Sequence, residues 1–422
     1  MCCRTTSRLW PVPRWVIGDG LDLVPFASRA YAQQAKITAL SLWDHPLERL
    51  GIVQALRVMR VDSATAPAPG AASIGARGTV SKAASCKGRT ATVRAYTYFA
   101  IPYSEARTVC EVAAGERRFP VHAVTLGNPD PAVPAVGYFG GFHGLERIGA
   151  EVVLVYLRSL VMRLRWDSVL HKQLESLRLV FMPLVNPGGV FRGTRANPNG
   201  VDLMRNAPLE SAERVPFMIG GQRLSAGLPW YRGPAGAPME AENQAVCRVV
   251  EEELHAREFS LTIDCHSGFG IHDRIWFPYA HSALPVQHLA EIHALKEIHE
   301  QTCAHHNYLF EPQSRQYLAH GDLWDHLYRQ AAAQPQRIFL PFTLEMGSWL
   351  WVKKNPRQLF SRQGIFNPLI EHRQQRVLRR HLAWLDFIAR AASGWRNWLP
   401  AGAERERHRE MALDLWYRRA KT

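Results

Sequence analysis

AVPAVGYFGGFHGLERIG, residues 132–149, joins a short apolar run to two glycines and then to a His143-x-x-Glu146 spacing. The apolar run is typical of a buried β-strand. The segment IGAEVVLVYLRSLVMRLR, which begins at Ile148, instead has the period of an amphipathic helix. The sequence therefore predicts a strand, a loop and a helix start, with an imidazole and a carboxylate at the junction.

Short apolar runs alternate with helical segments from about residue 93 to 372. The further runs are LRLVFMPLVNPGG (177–189), FSLTIDCHSGFG (259–270), RIWFPYA (274–280) and IFLPFTLEMG (338–347). This alternation predicts an α/β fold with a mixed, largely parallel central sheet and helices on both faces. Ligands bind such sheets in the loops beyond the carboxyl ends of the strands.

The chain divides into three regions by composition. Residues 1–92 contain ATAPAPGAASIGARG (64–78), a segment too poor in large apolar side chains to build a core, and are interpreted as an N-terminal extension that is partly linker or disordered. Residues 93–372 are expected to form the catalytic domain. Residues 373–422 are expected to form basic C-terminal helices with arginine on their solvated faces.

The bulk properties exclude some classes of protein. The seven cysteines are scattered without a CxxC pair, so a cysteine-based zinc knuckle is excluded and a reducing, cytoplasmic location is expected. Export is not favoured, because prolines and aspartates interrupt the segment before AYA at 30–32. A membrane span is not expected either, since no run reaches ~18 apolar residues.

The net charge of +14 has no accompanying nucleic-acid motif, so no nucleic-acid partner is expected. The oligomeric state is left open.

Three polar residues at strand ends suggest a metal centre. His143 and Glu146 follow the first strand, and His266 follows the strand in TIDCHSGFG. Two histidines and one carboxylate are a ligand set of catalytic zinc, which keeps one position open. Each residue also has a simpler interpretation: Glu146 could complement the helix dipole, and His266 could be a hydrogen-bonded core residue. Together they predict one Zn²⁺ per chain.

Glu345 ends the apolar strand in RIFLPFTLEMGSW. A carboxylate is costly at such a position unless it is paired or functional. A glutamate beside a metal-activated water can serve as the general base and then protonate the leaving amine. The alternative is a salt-bridged carboxylate at a strand end.

These residues, in this order, resemble the zinc carboxypeptidase family of M14-type, or funnelin, metallopeptidases over roughly residues 93–372. The segment NPGGVFRGTRANPNGVDLMRN (186–206) is similar to the family segment that begins Asn-Pro and ends Asp-x-Asn-Arg. On this resemblance, Asp202 would hydrogen-bond the second ring nitrogen of zinc-bound His143 and fix its tautomer.

The resemblance also implies the residues that bind substrate. Arg195 would polarise the scissile carbonyl, with Arg192 as the competing candidate. Arg205 would pair with the terminal carboxylate of the substrate, and Tyr317, in YLAHGDLWDHLY, would close over it. Met204 departs from the family, which usually has an asparagine there to help bind that carboxylate.

The resemblance implies a zinc-dependent metallopeptidase that removes a C-terminal residue from a peptide, with Glu345 as general base. Met204 keeps a second hypothesis open, a zinc-dependent deacylase or amidohydrolase of small N-acyl amino acids. The third hypothesis is a non-catalytic protein that binds zinc or a polyanion through its basic helices.

Overall fold

The structure is a computed structural model that describes residues 104–303 and 308–418. The extension predicted for residues 1–92 lies outside the described residues. In the part of the chain that is described, no helix is long and apolar enough to cross a bilayer. The four cysteines in that part are free thiols.

One sheet organises the described chain. Its eight strands are β1 (Glu105–Ala114), β2 (Arg117–Gly127), β3 (Ala135–Gly140), β4 (Arg178–Met182), β5 (Phe259–Ser267), β6 (Arg274–Phe277), β7 (Leu309–Pro312) and β8 (Ile338–Met346). Their spatial order is β1-β2-β4-β3-β5-β8-β6-β7. The neighbours β4, β3, β5 and β8 run parallel to one another. The pairs β1–β2, β2–β4 and β6–β8 are antiparallel. The expected mixed, largely parallel sheet is confirmed.

The central strands are apolar because both of their faces are covered. All six residues of β3, all five of β4 and all nine of β5 are buried. Strands of this kind read as continuous apolar runs rather than as alternating patterns. This explains why these strands are recognisable in the sequence.

Helices and short turns connect the strands. The helices are α1 (Arg147–Arg163), α2 (Ser168–Glu175), α3 (Pro187–Arg192), α4 (Ala241–Val250), α5 (Leu289–Thr302), α6 (Leu323–Ala332), α7 (Trp349–Lys354), α8 (Glu371–Ser393), α9 (Trp395–Trp398) and α10 (Gly402–Trp416). Turns of 3₁₀ helix lie at Leu203–Arg205, Gln313–Arg315 and Pro356–Phe360, and a π-helical turn at Glu251–His255 follows α4.

Two consecutive residues of β3 show that helices cover both faces of the sheet. The Tyr138 hydroxyl donates to the Leu385 carbonyl of α8 at 2.9 Å. Phe139 packs edge-on against Trp324 of α6, with ring centroids 4.9 Å apart. Successive strand side chains point to opposite faces, so α8 and α6 lie on opposite sides of the sheet. The predicted coverage of both faces is confirmed.

The C-terminal helices contribute to the same core. Trp384, Leu385 and Ile388 of α8 are all at most 1 % exposed. At the far end of the chain, the Trp416 indole of α10 donates to the Phe310 carbonyl of β7 at 2.7 Å. The segment expected to form basic C-terminal helices is therefore helical, and its apolar side packs on the sheet and on α5.

Candidate metal centre and active site

The polar residues at the ends of three parallel strands lie close together. His143 follows β3, while His266 and Glu345 are the penultimate residues of β5 and β8. The pairing of β5 with β8 places His266 directly opposite Glu345. Because β3, β5 and β8 are parallel neighbours, their carboxyl ends form one edge, where ligands bind in α/β sheets.

The loop that carries His143 is held by the start of α3. The Asn186 side chain caps α3 by accepting from the Gly189 amide at 2.7 Å and also donates to the Phe142 carbonyl at 3.0 Å. A Cβ atom at Gly144 would lie 2.1 Å from the Gly189 carbonyl carbon, so only glycine allows this approach. The Asn-Pro-Gly-Gly segment therefore orients the His143 loop.

His143, Glu146 and His266 form one buried cluster. One potential ligand atom from each lies within 4.8 Å of the other two. Although Glu146 immediately precedes α1, its carboxylate makes no capping hydrogen bond to that helix. Instead it lies 3.0 Å from His266 Nδ1 and accepts from the Ser267 amide at 3.0 Å. The Glu146 carboxylate therefore contacts His266 and Ser267 and forms no hydrogen bond with the amides at the start of α1.

Asp264 orients His266 and was not identified from the sequence. Its Oδ2 atom lies 2.6 Å from His266 Nε2 and also accepts from the Trp324 indole at 2.8 Å. A proton on Nε2 leaves the Nδ1 lone pair directed toward Glu146, an arrangement common behind metal-binding histidines. The available signal was the spacing of two residues, which puts Asp264 and His266 on the same strand face.

His143 has one ring nitrogen without a hydrogen-bond partner. Its Nε2 lies 2.8 Å from Arg195 Nη2, while its buried Nδ1 has no hydrogen bond among the described residues. The hydrogen bond expected between Asp202 and His143 is not formed, because the closest distance is 3.7 Å. Asp202 accepts from Arg195 Nε at 2.8 Å instead. The Asp202 carboxylate, which was expected to bind the His143 imidazole, thus binds the Arg195 guanidinium.

Arg195 is a cation that pairs with two buried carboxylates of the site, those of Asp202 and Glu146. Its Nη1 also donates to Glu146 at 3.1 Å. Burial opposes ionisation of Glu146, but His143, His266 and Arg195 lower its pKa. Burial likewise opposes ionisation of Asp202, and Arg195 is the strongest influence lowering its pKa.

Glu345 behaves differently from these ionised carboxylates. Its Oε1 accepts from the Phe269 amide at 3.0 Å. Burial, followed by the negative charge of Glu146, raises the pKa of Glu345. A divalent cation at the cluster would favour its ionised form.

The chemistry of this donor set fits zinc. Two imidazoles and one carboxylate are a catalytic zinc ligand set. Once the ring proton leaves Nδ1, a cation would also give this buried nitrogen of His143 the partner that it lacks among the described residues.

The cluster opens into a cavity of about 670 Å³. His143, Glu146, His266 and Glu345 line it together with Arg195. Its remaining wall is largely apolar and includes Met204, Ile219, Trp230, Phe269, Trp276, Trp349, Val352, Leu359, Ile365 and Phe366. The site therefore combines ionisable groups with an apolar chamber large enough for a side chain and its backbone.

Arg205 and Tyr317 lie together in the cavity wall. Arg205 Nη2 is 3.4 Å from the Tyr317 hydroxyl, and its guanidinium carbon is 5.8 Å from that ring's centroid. The other Arg205 contacts are to the carbonyls of Ile219 at 3.2 Å and Met204 at 2.9 Å. Arg205 and Tyr317, two of the residues predicted to bind substrate, therefore line the cavity.

Arg192 is not brought into the site, and its assignment as a substrate-binding residue is corrected. It is exposed at the end of α3 and donates to the Pro198 carbonyl at 2.5 Å. Gly193 ends the helix in the left-handed conformation, with φ of 63°. The chain then turns, so that Arg195, and not Arg192, reaches the cluster.

Solved structures share this architecture. The structure of thrombin-activatable fibrinolysis inhibitor is 19 % identical, with a TM-score of 0.51 and 69 % of each chain covered. Carboxypeptidase A from Helicoverpa armigera is 17 % identical, with a TM-score of 0.51 and again 69 % of each chain covered. At these identities the likeness concerns the fold.

Comparison of the sequence with known proteins assigns the chain to a family. The human carboxypeptidase N catalytic chain is 30 % identical over 158 residues, which are 34 % of this chain and 32 % of that protein. Drosophila melanogaster carboxypeptidase D is 32 % identical over 93 residues, 20 % of this chain and 7 % of that protein. The chain spans about a third or less of the length of the curated relatives it matches. The family model described as zinc carboxypeptidase matches residues 98–348. More than half of the sequence is thus accounted for by one family, and the chain belongs to the zinc carboxypeptidases.

Proposed function

We propose that this protein is a zinc-dependent metallocarboxypeptidase that hydrolyses the C-terminal peptide bond of its substrate. One observation carries the proposal: the cluster of His143, Glu146 and His266 shares a cavity with Glu345 and Arg205. A metal set, a carboxylate for proton transfer and a cation for a substrate carboxylate are the groups that this reaction needs.

His143, Glu146 and His266 would hold the zinc. Zinc bound there would polarise the scissile carbonyl and lower the pKa of a water molecule. Glu345 takes the proton of the attacking water and transfers it to the leaving amine. Its position opposite His266 supports this role, because it is close to the ligand set without belonging to it.

Arg195 would stabilise the oxygen of the scissile carbonyl as negative charge develops on it. Its hydrogen bonds to Asp202 and Glu146 restrain the guanidinium at the edge of the cluster. A donor that is already oriented stabilises a developing oxyanion without reorganisation during the reaction. Asp202 acts through Arg195 and is a positioning residue.

Arg205 would bind the terminal carboxylate of the substrate. A guanidinium has five N–H donors, and among the described residues the hydrogen bonds of Arg205 use three, one on each nitrogen. One N–H therefore remains on each terminal nitrogen, which allows two parallel bonds to a carboxylate. The Tyr317 hydroxyl beside it would bind the same end of the substrate.

A second candidate function is the deacylation of small N-acyl amino acids, whose acyl group the apolar wall around Met204 would accommodate. Met204 is buried in the cavity wall next to Arg205, where it contributes no amide to a substrate carboxylate. A smaller substrate held mainly by apolar contacts would need fewer polar partners. The metal chemistry is the same for both candidates.

A substrate panel tests the proposal. Zinc-loaded protein is incubated with short peptides, with the same peptides amidated at the C-terminus, and with N-acyl amino acids, each with and without a chelator. Chelator-sensitive release of the last residue from free peptides but not from amides is expected. Cleavage of N-acyl amino acids alone would replace the first candidate by the second. No hydrolysis of any amide by protein that contains zinc would contradict both.

A further inference from the structure

A second cluster of metal-binding side chains lies between α5 and α10. His293 of α5 and His408 of α10 face each other, with their Nδ1 atoms 2.9 Å apart. Glu297 follows His293 by one helical turn, and its carboxylate oxygens lie 4.0 Å from His293 Nδ1 and 3.9 Å from His408 Nδ1. Residues four apart share a helix face, so α5 presents both of its side chains to His408.

The cluster is largely shielded from solvent but remains accessible. The side chains of His293 and His408 are 4 % and 8 % exposed, while that of Glu297 is 27 % exposed. The Trp416 ring lies 5.8 Å from the His293 ring and covers part of the cluster. An ion would therefore enter on the Glu297 side, where water could complete its coordination.

One ligand atom from each of the three side chains lies within 4.8 Å of the other two, which is close enough for a single ion to contact all three. With zinc–nitrogen and zinc–oxygen bonds of about 2.0–2.2 Å, neighbouring ligand atoms lie about 3.3–3.5 Å apart. The two Nδ1 atoms are 2.9 Å apart, one Glu297 oxygen lies 4.0 Å from His293 Nδ1, and the other lies 3.9 Å from His408 Nδ1. Each of these separations differs from this spacing by less than about 0.8 Å. Rotation of the side chains, without movement of either helix, covers differences of that size.

The hydrogen bond between the two imidazoles does not involve all three side chains of the cluster. Two neutral rings share a single proton between their Nδ1 atoms, and the Glu297 carboxylate is beyond hydrogen-bond distance of both. One ion at the centre would accept a lone pair from each of the three side chains.

Glu404 adds an outer partner to this cluster. Its Oε1 lies 3.3 Å from His408 Nε2. A carboxylate at that nitrogen favours a proton on Nε2 and leaves the Nδ1 lone pair free to face His293 and Glu297. Metal-binding histidines commonly have such a partner.

We propose that His293, Glu297 and His408 form a second site for a divalent cation of the zinc class, which fastens α10 to α5. Nitrogen and carboxylate donors in this number suit zinc and its neighbours in the first transition row. None of the three side chains lines the 670 Å³ cavity, so the site is separate from the proposed active centre. Its expected role is structural, since it joins two helices far apart in sequence.

Zinc content after loading and desalting tests this site in the full-length protein. His408→Asn removes a ligand and keeps a hydrogen-bonding side chain, and Glu297→Gln does the same at the solvent edge. Each is expected to lose one equivalent of zinc relative to the parent protein. Glu300→Gln is the matched control, because Glu300 lies on the same helix and pairs with Lys296 instead. The control is expected to keep the parent content.

Thermal unfolding gives a second readout. Added zinc is expected to raise the Tm of the parent more than that of either ligand variant, because ligands that bind the folded state stabilise it. Unchanged zinc content in both His408→Asn and Glu297→Gln would overturn the proposal and leave a histidine–histidine hydrogen bond. The difference between parent and variant isolates this site, so the result does not depend on whether the active-site cluster binds zinc.

Discussion

His266 and Glu345 are register partners on the adjacent parallel strands β5 and β8. The neighbouring residues of each strand, Cys265 and Leu344, are core residues that are at most 1 % exposed. One pair of strands therefore places a potential metal ligand and a potential general base at the same level of the sheet. Their spacing depends on backbone hydrogen bonds and not on a mobile loop, and rigid support of this kind favours catalysis.

Glu345→Gln should lower kcat by about 10²- to 10⁴-fold, the usual contribution of a positioned general base. The amide has a similar shape but cannot take a proton, so folding and zinc content should be unchanged. Steady-state kinetics and elemental analysis on the same preparation check both points. Glu371→Gln, at the exposed start of α8, is the control and should retain its activity. A Glu345→Gln protein with parental kcat would exclude this residue as the base.

Asp264→Asn should weaken zinc binding at the cluster by about 10- to 100-fold, because the anionic partner of His266 is lost. Competition with a chromogenic chelator measures the affinity. Trp324→Phe is the comparison variant, since it removes the indole donor to the same Asp264 oxygen and keeps the carboxylate beside His266. Equal zinc affinity in Asp264→Asn and the parent would mean that Asp264 does not support a ligand.

Met204→Asn should lower KM for peptides with a free terminal carboxylate by about tenfold, since one hydrogen bond to a charged group contributes about 1.5–3 kcal/mol. The same change should leave KM for C-terminally amidated peptides nearly unaltered. Met204→Leu keeps the apolar wall and serves as the control. If the asparagine variant has the parental KM for free peptides, residue 204 does not contact the substrate carboxylate and this prediction is wrong.

Zinc binding should release a proton from Glu345. In metal-free protein, burial and Glu146 raise the pKa of Glu345, so below that raised pKa the carboxyl holds its proton. A cation nearby favours the ionised form, and the proton is then released. The release should be larger at pH 6.5 than at pH 9, where the carboxyl is more ionised beforehand.

Indicator-dye titration in weak buffer measures this release. Glu345→Gln has no carboxyl proton at this position and should release fewer protons at pH 6.5. The difference between the two proteins should shrink at pH 9. Equal release by parent and variant at pH 6.5 would show that Glu345 is already ionised without metal.

The strands that were recognised in the sequence are those with continuous apolar runs. β3, β4 and β5 are buried on both faces, so their residues are apolar almost without interruption. β1 lies at an edge of the sheet and alternates irregularly between exposed and partly buried residues, and no strand was predicted there. The backbone hydrogen bonds between β1 and β2 do not require a particular order of side chains. The sequence of β1 therefore gives only a weak strand signal.

The sequence also indicated which residues gather at the candidate site. The ends of parallel strands meet at one edge, so polar residues at those ends are neighbours in any fold of this class. It could not distinguish Arg192 from Arg195, because the choice depends on the turn at Gly193. Arg192 ends α3 and Arg195 follows the turn, a difference that their similar surroundings in the sequence do not reveal.

The sequence by itself determined the α/β class and the family resemblance, and it indicated His143, Glu146, His266 and Glu345 as candidates, because apolar periodicity and strand ends are local properties. Only the tertiary structure decided that Arg195 forms an ion pair with Asp202. It also decided that His408 lies beside His293, which is 115 residues away in the chain. Such contacts depend on how helices and loops pack, and many packings are compatible with the same local pattern.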